Sequence, residues 1–242
     1  MADAGIAHGD RVIEIGAGLG SLTIALAAAG AEVLAVEVDH GLVAALTEVT
    51  TGMSEVRVLR ADAMKLDWPS LLGLGAGRPW TLCANLPYNI AVPLVLDSLT
   101  TAPAIDRWVV MVQREVGERL VAVPGDEQFG AVSLRVAYRA SAAAVRRVPA
   151  TVFWPRPKVD SVIVRLDRLA EPPVPVDERS LWRVVDEAFS ERRKTIRNAL
   201  RRLGLAADEA DEVLASAGVA SNARPEELGL EGFAAIAERL PA

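Results

Sequence analysis

The sequence predicts an α/β fold: a mostly parallel, doubly wound sheet followed by a small all-helical domain. Two observations carry this. Short β-branched runs alternate with helix-forming segments as far as residue 113, the spacing of a parallel sheet with crossover helices. A stretch with three prolines at 170–177 then separates them from purely helical patterns, and proline can continue neither a helix nor a central strand.

In chain order, 11–16 (RVIEIG) is a buried strand ended by glycine, and 20–29 (GSLTIALAAA) a helix stopped by Gly30. Residues 32–37 form the second strand and 40–50 the second helix. Residues 55–60 form the third strand, and a Gly/Pro-rich loop covers 69–79. Residues 80–85 (WTLCAN) and 106–113 (DRWVVMVQ) are the fourth and fifth strands, with a helix over 91–100 between them. Residues 114–122 suit a helix, 130–140 fit helix and strand each in part, and 160–167 alternate as a strand. Helices follow over 178–203, 207–217 and 230–240. The expected domains are 1–169 and 178–242.

Composition narrows the function. Of 242 residues, 51% are hydrophobic and 24% charged, which suits a packed globular chain rather than a disordered one. A single cysteine, Cys83, forms no intramolecular disulfide and fits a reducing, cytoplasmic setting. The two histidines, His8 and His40, form no cluster of metal-ligand spacing with it, so no metal is expected. No membrane span is expected, because Glu32 and Glu37 interrupt the most apolar stretch. Nothing suggests an obligate interface, and a monomer is expected. A net charge of −6 argues against nucleic acid unless cations cluster locally.

Gly16, Gly18 and Gly20 form G-x-G-x-G directly after the first strand, where a ligand can approach the backbone closely. The dinucleotide fingerprint needs a further glycine one position later, but Ser21 stands there. That counts against a nicotinamide-dependent oxidoreductase. Glu37 ends the second strand, where a carboxylate accepts from a ribose diol. Asp62 follows the third, where an acid can accept from an adenine amine. Each acid alone could be a solvated strand-end carboxylate. Together with the glycine loop they point to a nucleoside-containing cofactor.

Asn85-Leu86-Pro87-Tyr88 follows the fourth strand. The exocyclic amine of adenine is a poor nucleophile, because its lone pair is delocalised into the ring. The Asn85 side-chain oxygen and the Leu86 carbonyl offer two acceptors that would draw this nitrogen towards a tetrahedral shape. Pro87 fixes the backbone, and Tyr88 presents a ring on which an extruded base can stack. An ordinary β-turn is the competing reading of the tetrapeptide alone.

With these residues in view, the chain resembles the KsgA/RsmA family of rRNA adenine N6,N6-dimethyltransferases. The carrying segments are VIEIGAGLGSLT (12–23), VEVD (36–39), ADAM (61–64), NLPYNI (85–90), VFWPRPKVDSVIV (152–164) and FSERRKTIRNAL (189–200). The resemblance implies a class I, Rossmann-like methyltransferase fold with a small C-terminal helical domain. It implies S-adenosylmethionine near Gly16, Glu37, Asp62 and Asn85. It implies two adjacent adenines in a hairpin near the 3′ end of 16S rRNA as substrate, met in the immature small ribosomal subunit. Phe153 then matches the family's second aromatic wall for the target base; a core aromatic before a proline turn is the alternative. The family normally carries a Gln-Asn-Phe-Leu segment before the first strand, which this sequence does not show. The expectation is weaker cofactor binding and slower methylation by this form.

Arg192, Arg193, Lys194, Arg197, Arg201 and Arg202 cluster with Glu191 as the only acid nearby in sequence. On a continuous helix 193, 197 and 201 share one face, suited to RNA phosphates. Arg146, Arg147, Arg156 and Lys158 surround the proposed Phe153 wall. A solvated surface is the alternative for each. A ribosome-assembly RNA-binding factor with lost or dispensable catalysis is the alternative for the whole chain.

Overall fold

The computed structural model describes residues 4–75, 77–87, 89–191 and 194–240. It divides into two compact units, 1–121 with 140–169, and 122–139 with 170–242.

The first unit is built on a seven-stranded sheet: β1 (Arg11–Ile15), β2 (Glu32–Glu37), β3 (Val56–Arg60), β4 (Trp80–Asn85), β5 (Ile105–Gln113), β6 (Ala140–Val148) and β7 (Ser161–Arg168). The spatial order is β3-β2-β1-β4-β5-β7-β6. β1 to β5 are mutually parallel, and β7 runs antiparallel to β5 and to β6. The order reverses between β1 and β4, the place where doubly wound sheets open a crevice beyond the strand carboxyl ends. This is the expected Rossmann-like, class I methyltransferase architecture.

β1 reads as an apolar run because both of its faces are covered; Val12 and Ile13 are wholly buried. The helices α1 (Ser21–Ala28), α2 (His40–Val49), α3 (Trp68–Leu72), α4 (Ala91–Thr101) and α5 (Arg114–Val121) follow their strands in order. α1 ends as expected, with Gly30 at φ +83° just beyond it. α5 lies against β7 at Gly117, where a Cβ would come within 2.1 Å of Val162 Cγ1, so no larger residue fits. Arg168, at the end of β7, stacks on Trp108 and donates to the carbonyls of Leu99, Ala102 and Ile105, bracing the turn after α4.

The sequence expectations need four corrections. The loop expected over 69–79 begins with α3, whose Asp67 accepts from the Ser70 N–H as a cap and whose Pro69 sits in the first turn. The ambiguous 130–140 resolves into helix α6 (Ala131–Ala137) and the start of β6. β6 itself has no counterpart in the expected strands. The helix expected over 178–203 is two, α7 (Glu178–Ser190) and α8 (Ile196–Arg202), so the continuous face assumed for 193, 197 and 201 is absent.

The second unit packs α6, α7, α8, α9 (Ala207–Ser216) and α10 (Leu230–Ala237) around one core. Phe129, Phe189 and Phe233 pack in series, the first pair edge-on at 6.2 Å and the second tilted at 6.0 Å between ring centroids. Ala122, Phe129, Leu134 and Tyr138 belong to that core, which is why 122–139 joins this unit although it precedes β6 in sequence. No helix of the described residues is long and apolar enough to cross a membrane.

Candidate active site

Three adjacent strands, β1, β2 and β3, deliver their carboxyl ends to one edge of the sheet. The glycine loop follows β1, with Gly16, Gly18 and Gly20 at φ +74°, +56° and +86°, conformations that glycine alone adopts without strain. A Cβ on Gly16 or Gly18 would meet nothing within 4 Å. Their surroundings are open space. Gly20 differs, since a Cβ there would press on Leu46 Cδ1 at 2.9 Å; it lets α1 pack against α2.

Glu37 ends β2 and is 6% exposed. Its Oε2 accepts the Gly18 N–H at 2.9 Å, and its Oε1 accepts the N–H groups of Val38 and Asp39. The carboxylate therefore ties the glycine loop to the end of β2. Asp62 follows β3 by two residues, accepts from the Met64 N–H, and lies 3.4 Å from Lys65 Nζ. Beside these polar residues stand three exposed apolar ones that the sequence did not single out: Leu19, Val38 and Met64, at 64%, 61% and 40% exposure. Each lies within two residues of a loop glycine, Glu37 or Asp62. Apolar residues in such places suit the faces of a purine. Their signal was present in the sequence as apolar residues just past strand ends, where burial by the protein itself is not expected.

A cofactor of the S-adenosylmethionine type fits this edge. The open space in front of Gly16 and Gly18 would admit a ligand, Glu37 stands at the strand end where a ribose would be met, and Leu19, Val38 and Met64 would be its apolar walls.

Asn85, the exposed last residue of β4, leads into the turn. Leu86 is buried and donates its N–H to the Met111 carbonyl, while the Pro87 carbonyl accepts from Ile90. Among the described residues the Leu86 carbonyl has no hydrogen-bond partner. Phe153 follows a short turn at Ala150–Val152 and is half-buried. That segment is anchored by Asp160, whose Oδ1 accepts the Ala150 N–H at 2.9 Å. Asn85, Leu86, Pro87 and Phe153 line one cleft of about 420 Å³ together with Trp154, Pro155, Pro157 and Ser161. Residues far apart in sequence thus meet because β4 and β7 flank β5. Neither Trp154 nor Ser161 carries a signal of its own in the sequence. Tyr88 lies outside the described residues.

A second, apolar cavity of about 280 Å³ also reaches Asn85 and is lined by Leu22, Leu26, Cys83, Val109 and Met111 among others. Burial pushes the Cys83 thiol up to about 12, so it stays protonated. On β1, Glu14 pairs in register with Cys83 and accepts from buried Thr23 Oγ1 at 2.5 Å. Burial pushes its carboxyl up to about 7, with the negative charge of Glu37 adding to the rise.

In the second unit, Arg192 and Arg193 lie outside the described residues. Lys194 and Arg201 are exposed, carry no ion pair among the described residues, and share a depression with Asn198, Glu191 and Arg202. Arg197 is different: its Nε and a terminal nitrogen hold both oxygens of Asp211 at 2.6 and 2.7 Å. Arg202 is held by Glu187 and Glu191. Glu191 is therefore not the only acid beside the cluster once α7 and α9 pack around it. Arg147, Arg156 and Lys158, near Phe153, are exposed and have no ion pair among the described residues.

Comparison with known proteins identifies the family. The family described as ribosomal RNA adenine dimethylase matches residues 1–241. The ribosomal RNA small subunit methyltransferase A of Moorella thermoacetica is 46% identical over 98% of this chain and 85% of its own length. That of Thermobifida fusca is 42% identical over 98% and 83%. The crystal structure of the 23S rRNA methyltransferase ErmE is similar at a TM-score of 0.72 and 27% identity, covering 99% of this chain and 94% of that one. A dimethyladenosine transferase from Plasmodium falciparum shares the fold at a TM-score of 0.80 and 24% identity, over 96% and 90%. With a glycine loop, a strand-end acid and an Asn-Leu-Pro turn facing an aromatic wall, and with near-complete coverage by these relatives, the chain belongs to the ribosomal RNA adenine dimethylase family of S-adenosylmethionine-dependent methyltransferases.

Proposed function

We propose that this chain transfers methyl groups to the N6 amines of two adjacent adenines in the 3′-terminal hairpin of 16S rRNA, acting in the cytoplasm on the immature small ribosomal subunit. The observation that carries this reading is the single cleft shared by Asn85, Leu86, Pro87 and Phe153. At about 420 Å³ it is large enough to admit an extruded base, and its lining combines the aromatic Phe153 and Trp154 with the polar Asn85 and Ser161.

When bound, S-adenosylmethionine supplies an electrophilic methyl group on a positively charged sulfur. The chain's own residues do the rest by alignment. The Asn85 side-chain oxygen and the Leu86 carbonyl accept the two N–H bonds of the target amine, localising its lone pair towards the reacting face. Phe153 stacks on the base and holds its plane. Asn85 is an amide and does not take the proton that the methylated amine releases; the cleft is open, and water receives it. Among the described residues of the two basic clusters, Arg147, Arg156, Lys158, Lys194 and Arg201 are exposed without an ion pair and meet RNA phosphates.

The test is methyl transfer from radiolabelled S-adenosylmethionine to small subunits lacking the two dimethylated adenines, with the modified positions mapped by reverse-transcriptase stops. Wild-type chain labels both adenines. Specific binding to those subunits without any label would instead establish an assembly factor and overturn the reading.

A further inference from the structure

The five tryptophans of the chain are used in two ways. Trp68, Trp80 and Trp108 are buried, and Trp182 packs edge-on against Tyr138. The indole N–H of each of these four has an acceptor: Asp97, the Leu72 carbonyl, Ser98 and Glu178. Trp154 has none among the described residues and is 97% exposed. Exposing the largest apolar side chain to water contributes nothing to folding, and Trp154 does not stand alone: Val152 and Val159 of the same segment are 63% and 44% exposed, and exposed apolar residues gathered in one place mark a surface meant to be covered.

Three features say what covers it. Trp154 lines the cleft that holds Asn85, Leu86, Pro87 and Phe153, so its occupant lies next to the occupant of that cleft. Pro155 and Pro157 follow it and fix the backbone, and the segment is closed at its far end by Asp160 on the Ala150 N–H. Arg156 and Lys158, two and four residues after it in the chain, and Arg147 at the end of β6, are exposed and have no ion pair among the described residues. A rigid aromatic flanked by free cations is the arrangement that binds unpaired nucleotides, the ring taking the base and the cations the phosphates.

We propose that Trp154 is a positioning residue that stacks the base adjacent to the adenine held in the Asn85–Phe153 cleft. This rests on the proposed function, in which two neighbouring adenines are modified. Lifting one base out of a hairpin loop strips its neighbour of a stacking partner. Trp154 replaces that partner, holds the strand in register, and keeps the second adenine next to the site for its own turn.

The test compares Trp154→Ala and Trp154→Phe with wild type on small subunits lacking the modification. The loss of one base–aromatic stack lowers kcat/KM about tenfold in the alanine variant, and phenylalanine restores most of it. Thermal stability and the Kd for S-adenosylmethionine stay at wild-type values in both. A second measurement reads stacking directly: a synthetic hairpin carrying 2-aminopurine beside the target adenine is quenched on binding wild type and Trp154→Phe, but not Trp154→Ala. Equal methyl transfer and equal quenching by Trp154→Ala and wild type would overturn the proposal, as would failure of phenylalanine to restore either signal. If wild type transfers no methyl group, the proposed function fails, and the quenching assay still decides whether Trp154 stacks a base.

Discussion

Glu37 Oε2 accepts the Gly18 N–H at 2.9 Å, and this bond joins the carboxyl ends of β1 and β2 into one piece. The same carboxylate also accepts from Val38 and Asp39. It therefore shapes the glycine loop and stands where a ribose diol would be met.

The two roles separate on substitution. Glu37→Gln keeps one acceptor oxygen and the side-chain shape but loses the charge, while Glu37→Ala leaves the Gly18 N–H without its partner. A hydrogen bond to a charged group contributes about 1.5–3 kcal/mol, so Glu37→Ala weakens cofactor binding roughly ten- to a hundredfold. Calorimetric titration with S-adenosylmethionine measures this, and Glu37→Gln falls between the two. Cofactor affinity unchanged in Glu37→Ala would remove Glu37 from the site.

Asn85 is exposed, so its replacement costs little stability while removing one of the two amine acceptors. Asn85→Ala lowers methyl transfer about 10²–10³-fold, the range found when a preorganised polar partner of the reacting group is deleted. The melting temperature stays close to wild type, and the cofactor Kd changes far less than the transfer rate. Phe153→Ala acts on the other wall of the same cleft and lowers kcat/KM about tenfold, with Phe153→Tyr retaining most activity. Quench-flow or filter-binding methyl-transfer assays distinguish the two effects.

Much of this site was legible from sequence because it sits at strand ends, where punctuation is strong. The glycine loop after β1, the acid at the end of β2 and the Asn-Leu-Pro turn after β4 each begin within one residue of where a strand stops. What was not legible depends on partners distant in sequence. β6 reads ASAAAVRRV, and alanine is a poor strand former; the strand exists because β7 offers it an edge. The Asp67-Trp68-Pro69-Ser70 capping signal at the start of α3 was present but lay at the mouth of a stretch rich in glycine. The apolar residues Phe129 and Leu134 carry a periodicity that says they are buried, not in which core. Arg197 looked like one more free cation until the packing of α8 beside α9 set Asp211 against it.

That ion pair changes which arginines should matter for RNA. Lys194→Glu with Arg201→Glu removes two cations that have no ion pair among the described residues. RNA affinity then falls, and the slope of log K against log salt decreases by about 1 for each phosphate no longer neutralised. Arg197→Ala instead strips Asp211 of its partner in the helical unit and lowers stability slightly, because the pair is partly exposed and screened by solvent. Nitrocellulose filter binding across a salt series, read beside thermal melts, separates the two classes. Reversed results, with Arg197→Ala changing the salt slope and the Lys194/Arg201 variant leaving it alone, would place the RNA on the Asp211 side.

Glu14 predicts a pH dependence of stability whose sign follows from its environment. Burial holds its carboxyl near 7 rather than the ordinary 4.5, so the native state keeps a proton that the unfolded chain gives up. The stabilisation is complete below 4.5 and is lost as pH rises through about 7. Asp167, held below its ordinary value by its hydrogen bonds to Arg165 and Arg107, acts in the opposite sense, but only at pH values below the usual carboxylate range. Between pH 5 and 8 the Glu14 effect therefore stands alone among the strongly shifted carboxyls, and amounts to about 3 kcal/mol. Glu14→Gln keeps an acceptor for Thr23 Oγ1 and has no proton to lose, so its denaturant midpoint stays level across that window while the wild-type midpoint falls towards pH 8. Parallel pH profiles for the two proteins would show that Glu14 titrates like an exposed glutamate.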